Sequence, residues 1–405
     1  MPKVFPFKAI RYSPEFDAAT VTSPPYDVID AEERAELLSR DPFNVIRLIL
    51  PSEDVPRAAD YERAASEFRG WISNGVLSRE EEPSFYLYQM DHQREGVAGS
   101  TVGLVASLVI EPFDEGDIYP HERTRPGPKA DRLSLMSAAK ANLEPLWFFA
   151  AHNLGGLGPV VAKVTKTEPL SDLVDLDGVR HRLWKVVPEP RGTAGTKGPS
   201  LLDDLVAAIS RTPLIMADGH HRYETATTYK QRMDEADGIG PWDMTLAFIV
   251  DPVEYPPALL PIHRVVEGLS LEALGDLVEL HPFQGDPVQL NQTVQEAGSG
   301  TIGVISEDRL FTMHSNVAPD TTYLHEAIFA PAGVEPEFEH VFERAVTQAG
   351  KGATVFLLAS TPIDLVSKMA LAGERMPPKT TLFWPKPRSG LVFRDLEKLA
   401  ETDDH

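Results

Sequence analysis

Two different spacings of apolar residues alternate along the chain, and together they predict both helices and strands. Between residues 54 and 73, apolar and aromatic side chains recur every three or four positions, as at Tyr61, Ala65, Phe68 and Ile72. This spacing predicts an amphipathic helix that packs on a sheet. The remaining helices are predicted at 31–39, 201–210, 220–234, 271–280, 337–348 and 362–371.

Short runs rich in apolar and β-branched residues predict strands. The runs at 84–90 and 101–110 flank a polar turn around 94–96, which predicts a β-hairpin, and the run at 146–151 is expected to join it. A glycine- and proline-rich stretch at 189–200 is expected to form a mobile loop. The mixture of element types indicates an α+β fold with mixed sheets and packed helices. The other strands are predicted at 213–217, 245–250, 301–306 and 354–359, with extended segments at 24–29 and 44–48.

The length of the chain predicts several lobes, because 405 residues exceed the size at which one hydrophobic core usually stops growing. We expect an N-terminal α/β lobe over 1–150, a central lobe over 151–265 and a C-terminal α/β lobe over 266–405. The chain contains no cysteine. Disulfides, thiolate metal sites and a cysteine nucleophile are therefore excluded, and any chemistry must come from oxygen and nitrogen groups.

The formal net charge of −23 argues against a nucleic-acid partner, since no basic stripe overrides it. Basic residues instead recur in short pockets, as over 123–132, which suits a compact anion. No run approaches eighteen apolar residues, and the N-terminus lacks the apolar core of a signal peptide. These patterns predict a cytoplasmic protein without a membrane partner. They leave the oligomeric state open.

The most informative motif is Asp218-Gly219-His220-His221-Arg222, which follows an apolar run. A strand that ends at an Asp-Gly turn before a helix aims backbone N–H groups and the positive end of the helix dipole at the turn. Three side chains that can carry positive charge cluster there, so the motif predicts an anion site. Asp218 can cap the helix or bind Mg²⁺, Gly219 admits a ligand, and Arg222 can grip phosphate oxygens. The alternative is an ordinary cap with surface histidines and an ion-paired arginine.

A second set of charged side chains lies in the polar segment 119–132, which is predicted to be a loop. Cations there can neutralise a transferring phosphoryl group, while a carboxylate holds magnesium or accepts a hydroxyl proton. The alternative is a solvated, salt-bridged loop. The residues concerned are His121, Glu122, Lys129, Asp131 and Arg132, with Asn142 and Pro145 following them.

Asp27, after Pro25 and Tyr26, is a candidate general base because that role needs a carboxylate held near a substrate hydroxyl. The alternative is a turn residue. A metal-dependent hydrolase also remains open, since histidines and carboxylates of these motifs are ligand types that zinc or manganese accepts. Their spacing matches no standard zinc motif, and adjacent histidines on a helix point about 100° apart.

Five ordered motifs extend over nearly the whole chain: 25–29, 44–48, His121-Glu122 with Lys129 and 131–133, 217–226, and 376–379 through 389–392. Together they resemble the domain-of-unknown-function 1015 family. The motif around Asp218 also resembles that of ParB/sulfiredoxin-like free serine kinases, which implies a ParB/sulfiredoxin-like core around this turn.

The resemblance implies a diphosphate-dependent serine kinase. Such an enzyme transfers a phosphoryl group from pyrophosphate, or a nucleotide, to the hydroxyl of L-serine with Mg²⁺ and yields O-phosphoserine. The alternatives are a ParB-like nucleotide-binding regulatory module without turnover and a metal-dependent phosphohydrolase. Catalytic roles are predicted for Asp218 (also the magnesium ligand), Glu122 and Asp27. Phosphate contacts are predicted for Gly219, His220, His221, Arg222, Lys129, Arg132 and His121, and substrate contacts for Tyr26, Arg47, Asn142, Tyr223 and Glu224.

Overall fold

A computed structural model of the chain describes residues 1–94, 97–113, 115–124, 126–188 and 200–398. The chain forms two compact units. Unit 1 comprises Met1–Pro120, Thr124–Pro257 and Pro385–His405, and unit 2 comprises His121–Arg123 and Ala258–Trp384. The chain therefore changes unit near residues 257 and 384, whereas the predicted lobes change at residues 150 and 265.

Unit 1 contains a large mixed sheet in the order β6-β11-β8-β12-β5-β4-β10-β9, with β1 paired to β5, and a smaller sheet in the order β3-β2-β21-β7. The strands are β1 (Val4–Phe5), β2 (Ala9–Tyr12), β3 (Leu77–Arg79), β4 (Phe85–Arg94), β5 (Val97–Val109), β6 (Ile118–Tyr119), β7 (Ala141–Asn142), β8 (Leu146–Ala150), β9 (Ser171–Val174), β10 (Arg180–Val186), β11 (Leu214–Asp218), β12 (Met244–Val250) and β21 (Phe393–Asp395).

The helices of unit 1 pack on these two sheets, and two 3₁₀ turns at Tyr26–Val28 and Pro241–Asp243 accompany them. The helices are α1 (Ala18–Val21), α2 (Ala31–Arg40), α3 (Ile46–Ile49), α4 (Ala58–Ser73), α5 (Pro126–Ala139), α6 (Leu157–Val164), α7 (Leu201–Ile209) and α8 (His220–Asp237).

Two of the apolar clusters in the described part of unit 1 pack its helices on its sheets. In the first, side chains from the large sheet, such as Leu104 and Phe148, pack with α6, α7 and α8. In the second, Phe68 and Trp71 of α4 pack with Phe393 and the rest of the smaller sheet. The predicted packing of the 54–73 helix on a sheet is therefore correct, although the helix begins at Ala58.

Unit 2 contains a six-stranded antiparallel sheet in the order β15-β17-β16-β19-β14-β18 and a two-stranded ribbon of β13 and β20. Its helices bury apolar side chains against the larger sheet. The elements are β13 (Ala258–Leu260), β14 (His263–Val266), α9 (Leu271–Leu277), β15 (His281–Pro282), α10 (Pro287–Ala297), β16 (Thr301–Ser306), β17 (Arg309–His314), α11 (Asp320–Leu324), a π-helical turn (His325–Phe329), α12 (Ala330–Ala332), β18 (Glu337–Glu339), α13 (Phe342–Ala349), β19 (Thr354–Leu357), α14 (Ile363–Leu371) and β20 (Leu382–Trp384).

The α+β class with mixed sheets and packed helices is confirmed. The predicted hairpin is β4 and β5, which pair in antiparallel register, and the third predicted strand, β8, lies in the same sheet between β11 and β12. Residues 95–96 of the hairpin turn and 189–199 of the expected mobile loop lie outside the described residues. Among the described residues, no helix combines the length and the apolar character needed to cross a membrane.

Four local predictions are wrong. The segment 24–29 is not extended throughout, because Tyr26–Val28 form a 3₁₀ turn. The polar segment 119–132 is not a loop throughout, because α5 begins at Pro126, where a proline loses no helical hydrogen bond. The segment 44–48 is not extended, because the side chain of Asn44 accepts a hydrogen bond from the Ile46 amide (2.9 Å) at the start of α3. The predicted helix at 337–348 is instead a short strand followed by α13.

Candidate active site

The motif predicted to bind an anion lies where β11 ends and α8 begins. Gly219 separates the two elements with a φ of 95°, a left-handed conformation that favours glycine. A Cβ at this position would lie 2.8 Å from Cδ2 of Leu146, so the backbone approaches the neighbouring strand closely. The 18-residue helix α8 starts at His220 and directs the positive end of its dipole at this turn.

Asp218 lies between two cationic side chains. Its Oδ1 accepts a hydrogen bond from Nζ of Lys386, and its Oδ2 accepts one from Nη2 of Arg222 at 3.1 Å. Burial raises the pKa of Asp218, but the charges of Lys386 and Arg222 outweigh burial and hold it well below its usual range. Asp218 therefore remains ionised and orients both cations.

Arg222 is one of the most buried charges of the site, with 9% of its surface exposed. Its Nη1 donates to the Pro145 carbonyl at 3.0 Å and lies 3.9 Å from Oε2 of Glu144. Burial lowers the pKa of Arg222, but Glu144, Asp218 and Asp27 raise it above its usual value. The guanidinium is thus held rigidly between carboxylates.

Asp27 lies within electrostatic reach of both cations, because its negative charge raises the pKa of Lys386 as well as that of Arg222. It belongs to the 3₁₀ turn Tyr26–Val28, and it is exposed. The Tyr26 amide donates to Oε1 of Glu144 at 3.2 Å, which fixes the turn beside the start of α8. An exposed carboxylate therefore lies within electrostatic range of the buried ionic cluster.

Arg132 stands over the ring of Tyr26, with its Cζ 4.0 Å from the ring centroid. Its Nη1 donates to the Ile49 carbonyl at 2.7 Å, and its Nε donates to Oδ2 of Asp131 at 2.7 Å. Arg132 is 4% exposed. It packs on Tyr26 from α5, and its predicted phosphate contact stays a prediction.

Lys129 and Glu224 form a second ion pair that joins α5 to α8. Nζ of Lys129 lies 2.6 Å from Oε2 of Glu224, and the hydroxyl of Thr124 donates to the same carboxylate at 2.9 Å. Both charged side chains are half-buried. The structure thus brings these two predicted residues to the same side of α8.

Two predicted substrate contacts occupy the interior. Tyr223 is fully buried, stacks on Phe113 and donates its hydroxyl hydrogen to the Glu111 carbonyl at 2.7 Å. Oδ1 of Asn142 accepts a hydrogen bond from the Leu246 amide at 3.1 Å in the smaller sheet region. The fold uses the Tyr223 hydroxyl and Oδ1 of Asn142 in these hydrogen bonds. The predicted substrate contacts of the two residues stay predictions.

Three other predicted residues belong to other parts of the structure: Arg47 to α3, and His121 and Glu122 to unit 2. The charge of Arg47 lowers the pKa of Arg34. In unit 2, Nε2 of His121 lies 2.7 Å from the Thr381 hydroxyl.

Lys386 and Glu144 were not predicted from the sequence. Lys386 follows Asp218 by 168 residues, and Glu144 follows Tyr26 by 118. No local spacing connects such pairs. The one available signal was composition, because Lys386 is flanked by Pro385 and Pro387, which stiffen the backbone around a charged side chain.

The described residues contain no group of three or more histidine or acidic side chains arranged to hold a metal ion. Both oxygens of Asp218 already contact cations. Magnesium often keeps several waters and binds through one or two carboxylates together with substrate phosphates. These residues therefore suit a magnesium ion that binds together with a phosphorylated substrate better than they suit an ion held by protein ligands alone.

The model of the family described as "Protein of unknown function (DUF1015)" matches residues 4–328. A mutant free serine kinase in complex with ADP is 12% identical, covers 69% of this chain and 89% of its own, and superposes with a TM-score of 0.38. A conserved hypothetical protein from Pyrococcus furiosus is 13% identical, with coverage of 69% and 92% and a TM-score of 0.36. No curated protein matches the chain.

Proposed function

The chain belongs to the DUF1015 family, and from this premise we propose that it is a small-molecule kinase that transfers a phosphoryl group to the hydroxyl of L-serine. Pyrophosphate is the proposed donor, with a nucleotide as the alternative. The observation that carries the proposal is the convergence of Lys386, Arg222 and the start of α8 on one turn, with Asp27 in electrostatic reach. Serine and pyrophosphate themselves come from the family resemblance.

The donor phosphates are assigned to the start of α8. A helix N-terminus binds phosphate through backbone N–H groups and its dipole, and Lys386 supplies a positive charge beside it. Asp218 fixes the ammonium of Lys386 and the guanidinium of Arg222 before the substrate arrives. Such fixed charges stabilise the transferring group without reorganising during the reaction.

Asp27 is assigned as the general base. Its carboxylate is exposed, whereas both oxygens of Asp218 are engaged. Asp27 accepts the proton of the serine hydroxyl as the serine oxygen bonds to the phosphorus of the donor. The bond from that phosphorus to the bridging oxygen breaks, so the products are O-phosphoserine and inorganic phosphate. Magnesium, when bound to the donor, supplies charge neutralisation on the phosphate oxygens.

The proposal is tested by incubating the purified chain with L-serine, pyrophosphate and Mg²⁺ and measuring O-phosphoserine by ³¹P NMR and mass spectrometry. ADP and ATP replace pyrophosphate in parallel reactions. We expect Asp27→Asn to lower kcat by about 100-fold or more, within the range of general-base catalysis. Asp30→Asn is the matched control: it removes a carboxylate three residues away, and asparagine replaces aspartate well as the cap of α2.

The outcomes separate the proposal from its alternatives. Phosphate release from pyrophosphate without phosphoserine indicates a phosphohydrolase. Nucleotide binding without any product, detected by calorimetry, indicates a regulatory module. Failure of all donors to yield phosphoserine, together with no detectable serine binding, refutes the proposal.

A further inference from the structure

The segment Pro385–Ser389 carries Lys386 into the site and is fastened on both sides of it. Lys386 binds Asp218, and the Ser389 hydroxyl donates to Oε1 of Glu144 at 2.9 Å. The Ser389 amide donates to the Ser23 carbonyl at 2.9 Å, and the Ser23 amide donates back to the Ser389 carbonyl at 3.2 Å. Two segments that are far apart in the sequence therefore run side by side.

Arg388 strengthens this connection from within the protein. Its Nε donates to the hydroxyl of Thr22 at 2.8 Å, and its Nη2 donates to the Thr22 carbonyl at 2.8 Å. Thr22 lies five residues before Asp27 on the chain. One buried guanidinium, 5% exposed, thus ties the segment that carries Lys386 to the segment that leads to the proposed base.

A closed network of three hydrogen bonds and one ion pair fixes Arg388 in turn. Its backbone amide donates to the Tyr88 hydroxyl at 3.1 Å, and that hydroxyl lies 2.7 Å from Nδ1 of His181. Nε2 of His181 lies 3.0 Å from Oδ2 of Asp175, which is 3.7 Å from Nη1 of Arg388. The contacts therefore run from Arg388 through Tyr88, His181 and Asp175 and end again at Arg388.

The donor and acceptor roles around this network are consistent with one tautomer. Burial lowers the pKa of His181, which keeps the ring neutral. Nε2–H then donates to the ionised Asp175, Nδ1 accepts from Tyr88, and the Tyr88 oxygen accepts from the Arg388 amide. Each of these buried groups has a partner, so the network admits one arrangement and resists displacement of Arg388.

We propose that Arg388 is a positioning residue, and that the network of Tyr88, His181 and Asp175 acts through it to hold Lys386 against Asp218. An apolar core of the same volume often stabilises a fold as well as buried ions do. Arg388 lies two residues after Lys386, and its directional hydrogen bonds fix the course of the backbone there. Apolar packing does not supply such a direction. The catalytic part of this inference rests on the proposed function, whereas the position of Lys386 does not.

The position of Lys386 is measured without any enzymatic assay, by the rate at which an acylating reagent modifies each lysine, followed by peptide mass spectrometry. Tyr88→Phe removes one oxygen from the network and keeps the ring. Loss of its contact with Asp218 lowers the pKa of Lys386 and leaves more of its amine neutral and reactive. We therefore expect Tyr88→Phe and Arg388→Lys each to speed the modification of Lys386 severalfold relative to wild type, with the modification of the exposed Lys351 unchanged.

Tyr86→Phe is the matched control, because Tyr86 is an equally buried tyrosine two residues away on β4. We expect it to leave the modification rate of Lys386 at the wild-type value. The inference is overturned if Tyr88→Phe and Arg388→Lys fold normally and leave that rate unchanged. An equal increase in Tyr86→Phe also overturns it, since general loosening of the sheet then explains the effect.

A kinetic cycle tests the catalytic part. If Arg388 acts through Lys386, Arg388→Lys lowers kcat by about 100-fold, the cost of a small misplacement of reacting groups. The double variant Arg388→Lys/Lys386→Met then loses no more activity than Lys386→Met alone. Multiplicative losses in the double variant overturn the positioning role. Absence of phosphoserine formation by the wild type refutes the proposed function, and the labelling result still decides the position of Lys386.

Discussion

Replacing Asp218 by asparagine tests whether the site is an ionic cluster held together by one carboxylate. The substitution keeps the shape of the side chain but leaves the ammonium of Lys386 and the guanidinium of Arg222 without the charge that lies between them. The side chains of Asp218, Lys386 and Arg222 are 16%, 14% and 10% exposed. Water therefore screens the remaining repulsion only slightly.

Breaking a buried ion pair costs about 3–5 kcal/mol, because an uncompensated charge remains inside the protein. Glu144 still lies 3.9 Å from Arg222, so we expect the lower end of that range, about 3 kcal/mol of unfolding free energy. The double variant Asp218→Asn/Lys386→Met removes both members of one pair, and its cost is expected to be smaller than that of Asp218→Asn alone.

The assay is urea unfolding at pH 7 in a phosphate-free buffer, monitored by tryptophan fluorescence. It compares wild type, Asp218→Asn, Lys386→Met and the double variant. In a second series, pyrophosphate is added. The asparagine variant has gained positive charge at an anion site, so pyrophosphate should raise its unfolding midpoint more than that of the wild type. Additive losses in the double variant, or an equal response to pyrophosphate, refute the reasoning.

Two further predictions concern the backbone of the site and a histidine of unit 2. Gly219→Ala should lower the unfolding free energy by more than about 1 kcal/mol and weaken pyrophosphate binding in calorimetry, because the new Cβ would meet Leu146 at 2.8 Å and Arg222 at 3.2 Å. Unaltered binding and stability contradict this. His263 has a pKa lowered to about 4 by burial, and its Nδ1 accepts from the Leu358 amide at 3.2 Å. Between pH 6.5 and 4, His263 binds a proton in the unfolded state but stays neutral in the folded state. As the pH falls through this range, wild type should therefore lose about 3 kcal/mol more unfolding free energy than His263→Gln. Urea titrations measure the difference. Parallel pH profiles contradict this.

The sequence predicted the parts of the fold that local patterns specify. The strand, turn and helix around Gly219 were found because an apolar run, a glycine and charged residues follow one another without interruption. Helix α5 was missed because Pro126 suggests a loop, although a proline in the first helical turn loses no hydrogen bond. Helix α3 was missed because its apolar run resembles a strand and it is only four residues long.

Local patterns reveal only part of the geometry of the candidate site. The strand–glycine–helix turn is local, but the ion pairs depend on tertiary contacts that one sequence does not reveal. Lys386 and Asp218 are 168 positions apart, and Arg388 and Thr22 are 366 apart. Arg132 was assigned to phosphate because a cation can neutralise a transferring phosphoryl group, and that assignment stays a prediction. The burial of Arg132 against Tyr26 follows from the helix that the sequence did not predict.

Strand β21 is the inner strand that joins β2 to β7, and it follows the whole of unit 2 in the sequence. During synthesis on a ribosome, β2 and β7 emerge long before the strand with which both pair. Unit 1 must therefore wait in an incomplete form while residues 258–384 are translated. Because Lys386 and Arg388 emerge just before β21, the same late segment closes the smaller sheet and supplies the site with its lysine. A chain whose synthesis stops within unit 2 lacks Lys386, Arg388 and β21, and therefore lacks the complete site.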